Sequence, residues 1–191
     1  MQIILSSTSS ARKKLLQRLQ LEFSTAAPDI DETPLANETI SNLVKRLAQA
    51  KAKKIATEHP NSLIIGSDQA VELKGKIFGK PQDKAMAQEQ LQMMSGQAVN
   101  FITGLCVLNT ANQQLQLAVE PFTVVFKQLT SSQIEHYLES ENPYACAGSF
   151  KSEGLGIALC ERFIGRDPSA LEGLPLIQLC KILTNQGVSV I

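Results

Sequence analysis

Apolar positions along the chain follow two alternating rhythms, one of strands and one of helices. Ile3 to Ser6 is a short apolar run ending in a serine-rich turn, which predicts a first buried strand. From about Ala11 to Gln20, Leu15, Leu16 and Leu19 recur at helical spacing and mark one face. Thr39 precedes a longer helical pattern reaching about Glu58, with Ile40, Val44, Leu47 and Ile55 along one stripe. Leu63-Ile64-Ile65-Gly66 predicts a second buried strand that ends in a turn at Ser67-Asp68-Gln69. Val71–Leu73 and Lys76–Phe78 predict a hairpin around Lys74-Gly75. Asp83 opens a helix closed near Gly96, and Thr130 with Gln133 forms a capping box for a helix carrying Ile134, Tyr137 and Leu138. Phe101–Leu108 and Leu115–Phe126 predict long strands, and a last helix runs between Pro175 and Gly187.

Helices alternating with strands predict an α/β chain, and the hairpins require some antiparallel neighbours, hence a mixed sheet. A length of 191 residues suits a single domain or two tightly joined lobes. Hydrophobic residues at 43% against 19% charged exclude a disordered chain. Eighteen basic side chains balance eighteen acidic ones, so the chain has no broad electrostatic footprint for nucleic acid or an anionic membrane. Any anion site must be local. No apolar run approaches a membrane span, and Met1-Gln2-Ile3-Ile4-Leu5 is too short for a signal peptide. Cys106, Cys146, Cys160 and Cys180 are scattered, which fits reduced core thiols in a soluble cytoplasmic protein.

Four features offer chemistry. Ser6-Ser7-Thr8-Ser9-Ser10 leads into Arg12 and Lys13; a helix N-terminus there suits a phosphate or is an ordinary serine cap. Asp29-Ile30-Asp31-Glu32-Thr33-Pro34 carries hard oxygen donors for Mg²⁺ or Mn²⁺, or is a solvated acidic loop. Lys51 falls in the middle of the apolar stripe of the long helix, opposite Lys45, Arg46 and Lys53. It must snorkel out or meet an anion, because burying an unpaired ammonium is costly. Asp68 at a strand end, with Lys80 in the stiff turn Gly79-Lys80-Pro81, adds an acid and a cation where open α/β sheets place ligands. Hydrolase schemes built on a nucleophilic serine fit poorly: the chain has only His59 and His136, and it lacks a Gly-x-Ser-x-Gly elbow. A Walker loop and a dinucleotide fingerprint are also missing.

Taken in order, Ser7-Thr8-Ser9 with Arg12-Lys13, Ile30-Asp31-Glu32, Arg46-Leu47-Ala48 with Lys51, Ser67-Asp68-Gln69, Gly79-Lys80-Pro81, Thr103-Gly104 and Cys146 to Gly154 closely resemble the Maf family. The resemblance spans residues 1–191 as a single Maf-like domain without a large insertion. It implies a two-lobed α/β fold around an extended mixed sheet flanked by helices, a divalent metal and a homodimer. The implied reaction cleaves a nucleoside triphosphate to its monophosphate and pyrophosphate. Asp68 then matches the acid that accepts a proton from the attacking water, and Glu32 with Asp68 the metal-binding acids. Lys51, Lys80 and Arg12 match the cations that offset phosphate charge, and Ser7 and Ser9 the phosphate-binding turn.

Substrate choice within the family falls to three positions, here Ala11, Gln69 and Glu153. Gln69 and Glu153 resemble the subgroup hydrolysing 7-methyl-GTP, whereas the dTTP and UTP subgroup has threonine and glutamine there. One carboxylate can accept guanine's adjacent N–H and NH₂ as a fork, and a pyrimidine offers a single ring N–H. Ala11 stands where the 7-methyl-GTP subgroup has tryptophan, so this position lacks the cation–π stacking of about 0.5–2 kcal/mol on a methylated guanine. The expected role is house-cleaning of modified nucleotides. The alternatives are a nucleotide-binding regulator of septum formation and a pyrophosphatase for dTTP, UTP or other canonical nucleotides.

Overall fold

A computed structural model describes residues 1–191. Its strands are β1 (Gln2–Ser6), β2 (Phe23–Ala26), β3 (Ser62–Leu73), β4 (Lys76–Phe78), β5 (Ala98–Asn109), β6 (Gln114–Phe126) and β7 (Cys160–Gly165). The helices are α1 (Ser10–Gln17), α2 (Ile40–Ala56), α3 (Lys84–Met94), α4 (Ser131–Glu141), α5 (Pro168–Leu171) and α6 (Leu176–Asn185). The strands form one mixed seven-stranded sheet in the order β2-β1-β3-β5-β6-β7, with β4 paired to β3. The chain divides into two compact units, the first comprising residues 1–69, 103–120 and 167–191, the second 70–102 and 121–166.

In the first unit β1 lies parallel to both β2 and β3. Side chains on successive strand residues point to opposite faces, so the continuous apolar runs feed two cores. Ile3, Leu5, Leu63, Ile65, Leu105 and Val107 join Leu15 and Leu16 of α1 and Leu179, Ile182 and Leu183 of α6. Ile4, Ile64, Cys106 and Leu108 join Ala48, Ala52 and Ile55 of α2 on the other side. Helix α1 is too short to hold together alone. Burial of Leu15 and Leu16 at about 1.5–3 kcal/mol each holds it on the sheet. It ends sooner than the leucine pattern predicts, at Gln17, and the chain reverses at Gln20 with φ 55°.

The expected turn after Gly66 does not form: β3 runs unbroken through Ser67, Asp68 and Gln69 to Leu73. Gly66 answers a packing need instead. A Cβ there would stand 2.2 Å from the Ala48 carbonyl oxygen of α2, and one on Gly104 of β5 would stand 2.3 Å from that of Val44. The two bare positions let the backbone of α2 lie directly on the sheet. Gly66→Ala is expected to destabilise the protein by about 3 kcal/mol, since backbone cannot yield as a side chain does. The entropy gain from removing a glycine, about 0.4–1 kcal/mol, is too small to reverse this. Urea denaturation of the variant is the check.

The second unit contains the predicted hairpin, with Lys74 and Gly75 both at positive φ as a two-residue turn between β3 and β4 requires. Phe150 packs against Phe101 and Phe126 at centroid separations of 5.4 and 5.1 Å. The Asp83 cap of α3 and the Thr130–Gln133 capping box of α4 are both present. Three elements escaped the sequence pattern: β2, β7 and α5. Strand β2 is four residues held by pairing to β1, β7 is an exposed edge interrupted by Glu161 and Arg162, and α5 is a single turn. No helix is long and apolar enough to cross a membrane.

Candidate active site

Helix α2 starts at its Thr39 cap and buries Leu43, Val44, Leu47, Ala48, Ala52 and Ile55, and Lys51 is buried among them at 5% exposure. The lysine meets anions rather than snorkelling. Its Nζ donates to Asp68 Oδ1 at 2.5 Å and pairs with Glu32 Oε1 at 2.7 Å. Two carboxylates from distant segments thus converge on one ammonium. The Lys51 end of α2 is tied to β1 by the Ser6 hydroxyl, which donates to the Lys51 carbonyl at 2.7 Å. Close seating of α2 on Gly66 and Gly104 fixes the height of the lysine over β3.

Arg12, in the first turn of α1, completes the charge cluster. Its Nε donates to the Gly173 carbonyl at 2.8 Å, and the same carbonyl lies 2.8 Å from the Ser67 hydroxyl. Burial pulls the guanidinium below its ordinary pKa, opposed by the charges of Asp68 and Glu32. Asp68 is 6% exposed, and burial raises its carboxyl above the ordinary aspartate value. Lys51 and then Arg12 oppose that rise, and the negative charge of Glu32 adds to it. A buried acid shifted by burial and opposed by specific cations marks a candidate functional site.

The serine turn is built as a cap. Ser9 accepts from the Arg12 amide at 3.3 Å, and Ser7 Oγ accepts from the Ser9 amide at 3.1 Å. Ala11 is half-buried beside Arg12 in the first turn of α1. Gln69 Nε2 donates towards the carbonyls of Ala170 and Leu171 at 2.8 and 3.0 Å and towards Thr103 Oγ1 at 3.1 Å. The Gln69 amide is therefore bound to the α5 segment. Glu32 sits in the irregular acidic segment with its side chain half exposed.

Lys80 and Glu153 belong to the second unit, where both are exposed. Gly79, before Lys80, has its carbonyl bound by the Gly148 amide at 3.1 Å. Both charges act on the Cys146 thiol, which burial pushes up first, Glu153 raising it further and Lys151 and Lys80 opposing. Lys80 and Glu153 thus both lie within electrostatic reach of Cys146 in that unit.

One cluster went unread in the sequence. Asp167 is 2% exposed; its Oδ1 accepts from the Ser169 amide at 3.1 Å and from the Ser169 hydroxyl at 2.5 Å, and its Oδ2 accepts from the Ile177 amide at 2.8 Å. This network clips α5 to the start of α6 and so presents the Ala170, Leu171 and Gly173 carbonyls to Gln69, Ser67 and Arg12. Its legible signal is Asp167-Pro168, a capping acid before proline at the first helical position.

Asp68 and Glu32 supply two hard carboxylates, not a cage of three or more side chains. Mg²⁺ characteristically takes one or two carboxylates and completes its shell with water and substrate phosphates, so the donor set fits such an ion.

The mixed sheet flanked by helices is the Ham1/ITPase-like α/β architecture. The structure of a HAM1 protein from Coxiella burnetii is similar over 97% of this chain and 99% of that one, with a TM-score of 0.53 and 17% sequence identity. That of the Staphylococcus aureus Ham1 protein matches 67% of this chain and 73% of that one, with a TM-score of 0.48 and 14% identity. At 17% identity, the Coxiella likeness establishes the fold alone. Residues 2–186 match the family model described as Maf-like protein. The chain belongs to the Maf family, a family of nucleotide pyrophosphatases.

Proposed function

We propose that this chain hydrolyses 7-methyl-GTP, a modified guanine nucleotide, to its nucleoside monophosphate and pyrophosphate. The observation that carries the reading is the buried Lys51 held between Asp68 and Glu32 beside Arg12. Gathering four charges around one point costs desolvation, which a bound polyphosphate would offset. A triphosphate would gain from two cations already held in place.

In this scheme Asp68, oriented through Oδ1 by Lys51, takes a proton from water as the water oxygen bonds to the α-phosphorus. The bond from that phosphorus to the bridging oxygen breaks, and pyrophosphate leaves with the electron pair. Arg12 and Lys51 offset the charge that develops, and Ser7 and Ser9 bind phosphate from the turn before α1. Glu32 and Asp68 would hold a Mg²⁺ or Mn²⁺, which supplies charge neutralisation on the phosphates when bound. The roles of Lys80 on phosphate and of Glu153 and Gln69 on the base rest on their family motifs. Glu153 as a carboxylate suits the guanine N–H and NH₂ fork.

Pyrophosphate release from 7-methyl-GTP, GTP, dTTP and UTP with Mg²⁺ or Mn²⁺ tests the proposal. The expected result is the highest kcat/KM on 7-methyl-GTP. Glu153→Gln should then lower the guanine preference by about 10- to 100-fold, the worth of a charged hydrogen bond. A greater rate on dTTP or UTP overturns the substrate, and no turnover of any nucleotide overturns the reaction.

A further inference from the structure

We propose that Arg46 is a positioning residue that locks the segment carrying Glu32. Residues 27–39 connect β2 to α2 without helix or strand of their own. Glu32 reaches Lys51 from this segment with a side chain that is itself half exposed. A half-exposed ion pair is too weak to offset the entropy of ordering several residues, so the segment must be held elsewhere.

Arg46 supplies the hold. Its Nε donates to Glu38 Oε1 and its Nη2 to Glu38 Oε2, each at 2.7 Å, and Nη2 also donates to the Thr33 carbonyl at 3.1 Å. Glu38 Oε2 in turn accepts from the Leu35 amide at 3.1 Å, and the Glu38 amide donates to the Leu35 carbonyl at 3.1 Å. Asp31 Oδ1 accepts from the Thr33 amide at 2.9 Å. One planar guanidinium therefore grips both ends of the arch from Thr33 to Glu38, and Thr33 directly follows Glu32. Glu38 is 8% exposed at its side chain and Arg46 32%, so the fork is partly shielded from water. A lysine carries the same charge but cannot make the two parallel bonds and the third to the carbonyl. Helix α2 thus holds the acidic segment twice, through Arg46 on one side and through Lys51 at the charge cluster.

The effect on turnover rests on the proposed role of Glu32, so the test has two readouts. Arg46→Lys is expected to lower kcat about tenfold with KM changed less than about twofold. In a Glu32→Gln background the same substitution should lower kcat by less than about twofold, because the residue it positions is already gone. Where Glu32→Gln itself lowers kcat, equal losses in both backgrounds, or no loss in the first, overturn the inference. Amide hydrogen exchange decides the point without turnover: exchange at Thr33 and Leu35 should quicken about tenfold in Arg46→Lys. Unchanged exchange overturns the latch even if the enzyme is active. Glu38→Gln breaks the fork from its other end and should give the same pattern if Arg46→Lys folds poorly. If Glu32→Gln leaves kcat intact while exchange quickens, the role assigned to Glu32 fails and the latch stands.

Discussion

Asp68→Asn is expected to lower kcat for nucleotide hydrolysis by about 10²- to 10⁴-fold, the usual worth of a positioned proton acceptor. Nucleotide affinity, measured by calorimetry, should change far less, because the cations that would meet phosphate are untouched. Retained turnover would remove Asp68 from the chemistry. The wild-type rate carries a second signature of the same residue. A base works deprotonated, so activity falls as acidity protonates it. Burial raises the Asp68 pKa above its ordinary value of 3.8, so the acid limb of the kcat/KM profile, which reports the free enzyme, should lie above pH 3.8.

Lys51→Met is expected to destabilise the fold strongly. Removing one partner of a buried ion pair costs about 3–5 kcal/mol, because the other charge is left uncompensated. For a chain of this size that corresponds to a fall in Tm of about 6–20 °C. Both carboxylates around the ammonium lose their cation, so the deficit should be largest near neutral pH and shrink on acidification as they protonate. Thermal melts of the variant and wild type across a pH series are the check. A pH-independent loss would point to packing of the methionine instead of charge.

Much of the architecture was legible in the pattern of apolar and capping residues. Thr39, Asp83 and Thr130 cap the helices they precede, and the two faces of the sheet follow from alternation in Ile3 to Leu5 and Leu63 to Ile65. Lys51 was legible as an anomaly, since a charged residue centred on an apolar stripe must either snorkel out or meet an anion. Its partners were not, because Glu32 and Asp68 reach it through tertiary folding alone. The run Gly66 to Gln69 was misread as a strand end because glycine signals both a turn and a close approach, and one chain cannot separate the two. Arg46 reads in the sequence as a solvent-facing cation beside Lys45, and nothing local ties it to Glu38 across the irregular segment. Strands β2 and β7 are edge pieces stabilised by pairing, which periodicity does not record.

The seat of α2 on Gly66 and Gly104 has a bearing on protein engineering. Grafting the Asp68–Lys51 pair into another sheet by copying the two charged residues alone would fail, because ordinary strand side chains would lift the helix and move the ammonium away from its acid. A minimal transplant is four positions: the acid, the lysine and the two vacant lattice points beneath the helix. By the same reasoning, sequence libraries that vary either glycine carry the cost of a Cβ pressed against the α2 backbone in every clone.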